Sequence, residues 1–309
     1  MKAETFYFKA DDGAMIFVRH WQPDDQAKAV IHIAHGLAEH SARYERLAGA
    51  LTACGYHVYA GDHRGHGQTI GRPDGLGHFA DRDGWNRLVR DWSQLIAAER
   101  SAHSGLPVIV MGHSMGSLVV RQFLRDHSHE IAGAVLSGAN GQVSPLVYLG
   151  KFIARLERLR LGRRGRSRLI NTLSFDSFNK QFRPARTAFD WLSRDQAEVD
   201  KYIADPLCGF IATTQSWADF LDGITELARP ENLKAIRKDL PVYVFTGALD
   251  PVTGSAKGAE KLVSDFRGVG MTNLTYKAYP EARHETLNEI NRDEVTNDLL
   301  AWLDRVVVK

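Results

Sequence analysis

The chain has 309 residues, of which 44 % are hydrophobic and 25 % charged, and its 39 basic and 37 acidic side chains give a formal net charge of +2. These values exclude a mainly disordered chain, which would have fewer apolar residues and a larger net charge, and they argue against a dedicated nucleic-acid-binding protein. Two cysteines, Cys54 and Cys208, are too few for a disulfide framework or a cysteine-based zinc cluster.

The first half of the chain alternates short apolar runs with helical patterns. The runs at 15–21, 29–34, 57–61, 106–112 and 132–137 are predicted strands, and the patterns at 41–53, 83–103 and 117–125 are predicted helices, the first with Ser41 as its N-cap. The run at 106–112 is apolar without alternation, which is typical of a strand covered on both faces. This order of elements predicts a parallel α/β sheet.

The alternation stops after about residue 140. Helical patterns without a buried strand fill 141–240, and a strand at 241–247, a helix at 257–266, a strand at 275–279 and a helix at 289–306 follow. We therefore predict an α/β fold with a mostly parallel, doubly wound sheet. Residues 1–140 and 241–309 form its two core parts, and residues 141–240 form a helical cap insertion.

The N-terminal segment lacks the pattern of a secretory signal peptide, because Glu4, Lys9 and Asp11 interrupt any apolar run. No stretch approaches the roughly 20 apolar residues that span a bilayer. We therefore expect a cytoplasmic protein, and peripheral contact with a membrane surface stays open.

The pentapeptide Gly-His-Ser-Met-Gly at 112–116 follows a predicted buried strand and opens a predicted helix. This is the context that a nucleophile elbow requires, with the serine hydroxyl projecting above the sheet edge. Ser114 is therefore the predicted nucleophile. The N–H of Met115 is one predicted donor to the oxyanion of a tetrahedral intermediate, and the N–H of Leu37, in the loop after the strand at 29–34, is the second.

A serine hydroxyl needs a general base that a third group orients, and in this architecture the chain order is serine, acid, histidine. His284 follows a predicted strand, and no other histidine comes after His129, so His284 is the predicted base. Asp250 follows the strand at 241–247 and is the predicted acid. Asp219 and Asp222 are alternatives, although both fall in the helical insertion.

These motifs together resemble the monoacylglycerol lipase and lysophospholipase group of α/β-hydrolases, also described as serine aminopeptidase-like hydrolases. The resemblance rests on His-Gly-Leu-Ala-Glu-His-Ser-Ala-Arg-Tyr at 35–44, Asp-His-Arg-Gly-His-Gly at 62–67, the pentapeptide at 112–116, Asp250 and His284. It implies an α/β-hydrolase core with a helical cap, no cofactor, and cleavage of monoacyl esters. It assigns the nucleophile to Ser114, the acid to Asp250, the base to His284 and the oxyanion donors to Leu37 and Met115.

Two further features have alternative interpretations. The run at 62–67 contains residue types that bind metals or anions, but hydrogen bonding to neighbouring loops is the favoured interpretation, and we predict no metal site. The segment 151–168 carries eight basic residues and one acidic residue, Glu157. It either contacts an anionic lipid surface or is balanced by acids elsewhere, such as Asp190, Asp195, Glu198 and Asp200.

The insertion is also rich in aromatic residues, which either pack the cap onto the core or line an acyl tunnel. They are Phe175, Phe178, Phe182, Phe189, Trp191, Phe210, Trp217 and Phe220. We therefore expect a serine carboxylester hydrolase that cleaves a monoacyl lipid, a monoacylglycerol or a lysophospholipid, through an acyl-enzyme on Ser114. A small-ester hydrolase or peptidase with the same triad, and a catalytically inactive binding protein, are the alternatives.

Overall fold

The computed structural model describes residues 1–141, 143 and 145–307. Four positions, 142, 144, 308 and 309, lie outside the described residues. The first two fall in the predicted range 141–240 and the last two in the predicted range 241–309. The strands are β1 (Lys2–Lys9), β2 (Met15–Gln22), β3 (Ala29–Ala34), β4 (Tyr56–Gly61), β5 (Val108–His113), β6 (Gly133–Ser137), β7 (Val242–Gly247) and β8 (Leu274–Tyr279). They form one sheet in the order β1-β2-β4-β3-β5-β6-β7-β8.

The helices are α1 (Glu45–Ala53), α2 (Gly84–Ala102), α3 (Met115–His127), α4 (Pro145–Leu161), α5 (Arg168–Leu173), α6 (Phe175–Phe178), α7 (Gln196–Ala204), α8 (Thr214–Leu227), α9 (Pro230–Lys234), α10 (Lys257–Gly268) and α11 (Arg292–Val307). Short 3₁₀ turns occur at Ser41–Tyr44, Ser128–Glu130, Asn179–Phe182 and Thr286–Asn288. Among the described residues, no helix is both long enough and apolar enough to cross a membrane.

The sheet is antiparallel at one edge and parallel elsewhere. β1 pairs with β2 and β2 with β4 in antiparallel fashion, whereas β4, β3, β5, β6, β7 and β8 run parallel. One face packs against α2, α3 and α10, and the other against α1 and α11. Both faces of the parallel strands are therefore covered, which explains their continuous apolar runs. The doubly wound α/β prediction is confirmed.

The chain between β6 and β7 is helical in its described part, where α4–α9 and one isolated β-bridge between Arg166 and Thr213 occur. α4 packs against α8, which in turn contacts α2 and α3 of the core. These helices occupy the range for which the sequence predicts a cap. The division of the chain at 140 and 240 stays a prediction.

Two local expectations differ from the structure. Ser41 is not the N-cap of a helix: it begins a 3₁₀ turn, α1 begins at Glu45, and the Ser41 hydroxyl instead donates to Asp62 at 2.6 Å. The buried Asp62 carboxylate needs such donors because it is removed from water. Strand β1 has no counterpart among the predicted elements, and its residues are almost all exposed.

Candidate active site

Ser114 occupies the turn between β5 and α3. Its φ of +52° and ψ of −118° place it in a region that residues other than glycine rarely adopt. Two hydrogen bonds hold this strained turn: the Ser114 N–H donates to the Ser137 carbonyl at 2.9 Å, and the Ser117 hydroxyl donates to the Ser114 carbonyl at 2.6 Å. The strain places the side chain at the carboxyl edge of the sheet.

The two glycines of the pentapeptide are required by close backbone approach. A Cβ on Gly112 would overlap the carbonyl of Gly116, and a Cβ on Gly116 would overlap the carbonyl of Ala34 in β3. The turn therefore brings β5, α3 and β3 too close together for any side chain at these two positions. This is the physical basis of the motif from which the sequence predicts the nucleophile.

His284 and Asp250 are in direct contact. The His284 Nδ1 lies 3.0 Å from each Asp250 carboxylate oxygen, and both side chains are buried. Asp250 also accepts hydrogen bonds from the Val252 N–H at 2.8 Å and the Thr246 hydroxyl at 3.0 Å. Burial alone would raise the pKa of Asp250, but the charge and hydrogen bond of His284 and these two donors lower it below its usual value. Asp250 therefore stays ionised.

The same pair sets the protonation of the imidazole. Burial opposes the charged form of His284, but the charge and hydrogen bond of Asp250 outweigh burial and raise the pKa of His284. The neighbouring His113, whose ring centroid is 4.7 Å from that of His284, behaves differently. Burial and the proximity of His284 lower the pKa of His113 to about 4, so this ring remains neutral. Its Nδ1 lies 3.2 Å from the Ser137 hydroxyl, in keeping with a packing role.

Ser114 and His284 line one cavity, together with Leu37 and Met115. Among the described residues, no hydrogen bond joins the Ser114 hydroxyl to His284, and such contacts commonly tighten only when substrate binds. The N–H groups of Leu37 and Met115 likewise form no hydrogen bond with another described residue. All five predicted site residues are therefore placed at one end of the sheet, and four of them, Ser114, His284, Leu37 and Met115, line the same cavity.

A buried ion network supports the loop that contains Leu37. Glu39 Oε1 accepts from the Gly36 N–H at 2.6 Å and from the Tyr44 hydroxyl at 3.0 Å. Arg43 bridges Glu39, at 3.0 Å, and Glu285, at 2.5 and 2.7 Å. Burial would raise the pKa of Glu285, but Arg43 lowers it to about 2. Glu39 and Arg43 belong to the motif at 35–44, but nothing in the sequence indicates that they form an ion network with Glu285.

The alternative acids lie elsewhere. Asp219, on α8, accepts from the Gly84 N–H and from Gln215, and Asp222 pairs with Lys151 and Arg155 of α4. Neither has a hydrogen bond with a histidine among the described residues.

The run at 62–67 ties loops together. Asp62 accepts from the N–H groups of Ser41 and Gln68, both at 2.8 Å, and the His63 N–H donates to the His35 ring at 2.9 Å. Arg64 pairs with Asp91 of α2. These contacts support the structural interpretation of the run.

The cavity over Ser114 has a volume of about 530 Å³ and a mainly apolar lining. Helices α4, α5, α6 and α8 supply most of its outer wall. Of the aromatic residues singled out in the insertion, five line the cavity: Phe175, Phe178, Trp191, Trp217 and Phe220. The insertion therefore contributes to the space in which a substrate would lie.

Comparison with known proteins gives a consistent result. The family model described as "Serine aminopeptidase, S33" matches residues 25–291. A monoacylglycerol lipase of Mycolicibacterium smegmatis is 30 % identical over 304 residues, covering 96 % of this chain and 95 % of that protein. The human monoglyceride lipase is 29 % identical over 291 residues, covering 91 % and 86 %.

Solved structures show the same architecture. A carboxyl esterase from Bacillus coagulans superposes with a TM-score of 0.91 at 23 % identity over 99 % of both chains. A monoglyceride lipase from Saccharomyces cerevisiae superposes with a TM-score of 0.78 at 23 % identity, over 99 % of this chain and 96 % of that one. The fold, the family match and the near-complete overlap with its relatives show that this chain belongs to the serine aminopeptidase, S33, family of α/β-hydrolases.

Proposed function

We propose that this chain is a serine carboxylester hydrolase that cleaves a monoacyl lipid, a monoacylglycerol or a lysophospholipid, through an acyl-enzyme on Ser114. One observation carries the proposal: an apolar cavity of about 530 Å³ opens directly onto Ser114 and His284. Such a space accommodates an acyl chain better than a charged peptide. The relatives that are named monoacylglycerol and monoglyceride lipases support the same substrate class.

The geometry supports the following sequence of steps for ester hydrolysis. His284 accepts the Ser114 proton as the serine oxygen attacks the ester carbonyl, and Asp250 holds the imidazole tautomer and stabilises the imidazolium. The N–H groups of Leu37 and Met115 donate to the oxyanion. The imidazolium then protonates the departing alcohol, and a water molecule that His284 deprotonates releases the fatty acid from Ser114.

The test is hydrolysis of a monoacylglycerol, a lysophospholipid, a short aryl ester and an amino-acyl amide by the native chain and by the Ser114→Ala variant. We expect the native chain to prefer the lipids and kcat to fall by about a million-fold in the variant, as when a triad nucleophile is lost. Ser101→Ala, at an exposed position near the end of α2, is the matched control and keeps full activity. Activity that persists in Ser114→Ala would reject the catalytic assignment, and a preference for the amide over both lipids would reject the substrate class.

We also propose that α4 and α5 of the helical cap contact a lipid surface. The exposed apolar side chains of these two helices are Leu146, Tyr148, Leu149, Phe152, Leu156, Leu159, Leu161, Leu169 and Leu173. We call this set the apolar face. Leu146, Leu149 and Leu173 also line the cavity, so its mouth opens within the apolar face. Exposed apolar patches rarely occur without a partner, and a lipid surface would both cover this one and deliver the substrate.

The charges of the segment 151–168 contribute less to this proposal, because many are paired. Lys151 and Arg155 contact Asp222, and Arg164 contacts Asp81. The acids named from the sequence as examples of balancing charges contact residues outside this segment. Asp190 accepts from Thr187 and the Arg186 N–H, Asp195 and Glu198 contact Arg292, and Asp200 contacts Arg186. The apolar face therefore supports contact with lipid more strongly than the basic residues of the segment 151–168 do.

Vesicle co-sedimentation tests this contact. Leu156→Gln and Leu159→Gln change exposed residues that do not line the cavity, so hydrolysis of a short soluble ester stays unchanged. We expect binding to phosphatidylcholine vesicles to fall by at least 10-fold in the double variant, because each apolar side chain buried in lipid contributes about 1.5–3 kcal/mol. Ile290→Gln, at an equally exposed apolar position outside α4 and α5, is the control. Unchanged vesicle binding by the double variant would refute the contact.

A further inference from the structure

Three histidines that the proposed reaction does not use converge near one edge of the sheet. His20 lies on β2, His57 on β4, and His103 directly follows α2. Each offers one ring nitrogen, and the three nitrogens lie within 4.8 Å of one another. We call these residues the histidine cluster.

The histidine cluster is remote from the candidate active site. His57 is in register with Val30 of β3, which is in register with Val108 at the start of β5, whereas Ser114 follows the end of β5. At about 3.3 Å per residue, this places the two sites roughly 20 Å apart along the strand direction. A ligand at the cluster would therefore not compete with an ester at Ser114.

The distances within the histidine cluster suit coordination of one ion. His20 Nε2 lies 3.1 Å from His57 Nδ1, and the rings of His57 and His103 are 4.1 Å apart between centroids. Nitrogens about 2.0–2.1 Å from a tetrahedral Zn²⁺ ion are separated by about 3.3 Å. Small side-chain rotations would bring all three nitrogens to bonding distance.

Neighbouring groups orient two of the rings. Glu4 of β1 lies opposite His20 in the β1–β2 register, and its carboxylate is 2.9 Å from His20 Nδ1. A carboxylate in this place fixes the proton on Nδ1 and leaves the Nε2 lone pair directed at the cluster, as in many metal-binding histidines. On the other side, the Tyr59 hydroxyl lies 2.8 Å from His103 Nε2. When Nε2–H donates to the Tyr59 oxygen, the Nδ1 lone pair of that ring is left for the ion.

The histidine cluster is open to solvent on one side. His57 and His103 are only partly buried, so an ion can reach them from solvent.

We propose that His20, His57 and His103 bind a divalent first-row transition metal such as Zn²⁺, with Glu4 positioning His20 and water completing the coordination. Three imidazole ligands favour zinc, copper or nickel, whereas magnesium and calcium prefer oxygen ligands. The ion would join β2 and β4 to the end of α2. It would act as a structural cross-link at the edge of the sheet.

The test is calorimetric titration of Zn²⁺ alone into the full chain, prepared without a histidine tag and stripped of metal by chelation. We expect one equivalent to bind and the melting temperature to rise, because an ion that binds only the folded state stabilises it. His57→Gln and His103→Gln each lower the affinity by at least 100-fold, and Glu4→Gln lowers it by about 10–100-fold. The control is His129→Gln, at an exposed position outside the histidine cluster, which binds as the native chain does.

Absence of Zn²⁺ binding, or equal affinity in the native chain and both histidine variants, would overturn the proposal. Loss of binding in Cys208→Ser instead would assign the ion to His40, Asp205 and Cys208, the other group of suitable ligands among the described residues, and would also overturn it. Circular dichroism and unchanged hydrolysis of a short ester show that each variant is folded. Nitrogen hyperfine lines in the Cu²⁺ electron paramagnetic resonance spectrum report the imidazole ligands directly, and the number of coupled nitrogens must decrease in His103→Gln.

Discussion

His284 is the residue whose environment most directly links structure to a measurable rate. Burial of the imidazole opposes a positive charge on it, whereas contact with Asp250 favours that charge. The effect of Asp250 is the larger, so the pKa of His284 is raised above the ordinary value of about 6.5. A general base works only when neutral, so the role proposed for His284 requires the rate to fall as the pH falls through this pKa. His113, whose pKa of about 4 keeps it neutral, cannot produce that limb.

We predict that kcat/KM for a short soluble ester falls on the acid side with an apparent pKa above 6.5. Asp250→Asn removes the charge that raises the pKa of His284, so the acid limb moves to lower pH and kcat falls by about 10⁴-fold. The measurement is a pH–rate profile of the two proteins between pH 5 and 9.

His113→Gln provides the matching comparison, because its ring is close to His284 but carries no charge. The pH–rate profile of this variant keeps its acid limb, with an apparent pKa above 6.5. If the limb were lost in His113→Gln and retained in Asp250→Asn, His284 would not be the base.

Among the elements, the loop after β3 is held from both the core and the helical cap. Ala38, at φ +62°, directs its carbonyl towards α7 and the loop that follows it. That carbonyl accepts from the Tyr202 hydroxyl at 2.8 Å and from the Gly209 N–H at 3.0 Å. On the core side, Glu39 holds the Gly36 N–H. The orientation of the Leu37 N–H therefore depends on contacts made from α7.

We predict that Tyr202→Phe lowers kcat several-fold with little change in KM, because the loop that contains Leu37, a proposed oxyanion donor, loses one support while the Tyr202 ring stays in place. The free energy of unfolding falls by about 1 kcal/mol, the usual contribution of one hydrogen bond. Steady-state kinetics and urea denaturation measure the two effects.

Tyr279→Phe is the control for this prediction. The Tyr279 hydroxyl is also hydrogen-bonded, to Tyr243 at 3.0 Å and to Asp298 at 2.8 Å. It lies on the face of the sheet that packs against α1 and α11. This variant loses similar stability and keeps its kcat. An equal loss of kcat in both tyrosine variants would show that the effect is general destabilisation.

At the scale of the whole molecule, buried carboxylates make stability depend on pH. Glu285, with its pKa lowered to about 2 in the folded chain, has an ordinary value of about 4.3 when unfolded. Its contribution is complete above the unfolded value and is lost as the pH falls through the folded value. The pKa values of Asp250 and Glu39 are also lowered, so these carboxylates likewise stabilise the folded chain at neutral pH and lose that contribution as the pH falls.

We predict that the free energy of unfolding decreases between about pH 4.5 and 2. Glu285→Gln is less stable than the native chain at pH 7, by roughly 2–3 kcal/mol, and the difference shrinks as the pH approaches 2. Glu294→Gln, in an exposed pair with Lys277, changes stability by less than about 1 kcal/mol. Urea denaturation at several pH values measures the free energies of unfolding. A difference in this free energy between the native chain and Glu285→Gln that stays constant with pH would contradict the prediction.

The parallel part of the sheet could be predicted because its central strands are short, mainly apolar runs between turn residues. Strand β1 could not, because an exposed edge strand leaves no burial pattern in its sequence. The elbow around Ser114 could be predicted because backbone crowding permits only glycine at two fixed positions. The ion network of Glu39, Arg43 and Glu285 joins residues 242 positions apart, which no local pattern reveals.

The histidine cluster illustrates the same limit. His20 and His57 become neighbours only through the antiparallel register of β2 and β4, and His103 joins them only because α2 returns across the sheet. Their separations along the chain match no metal-binding motif. Sequence spacing therefore predicts sites built within one turn or loop, whereas tertiary register decides sites assembled from separate elements.

The position of the cavity mouth within the apolar face has a consequence for the released acid. If that rim rests against a bilayer, the cleaved fatty acid departs sideways into hydrocarbon and never dissolves as a monomer in water, while the small polar alcohol diffuses away. The two products would then partition into different phases at the moment of release.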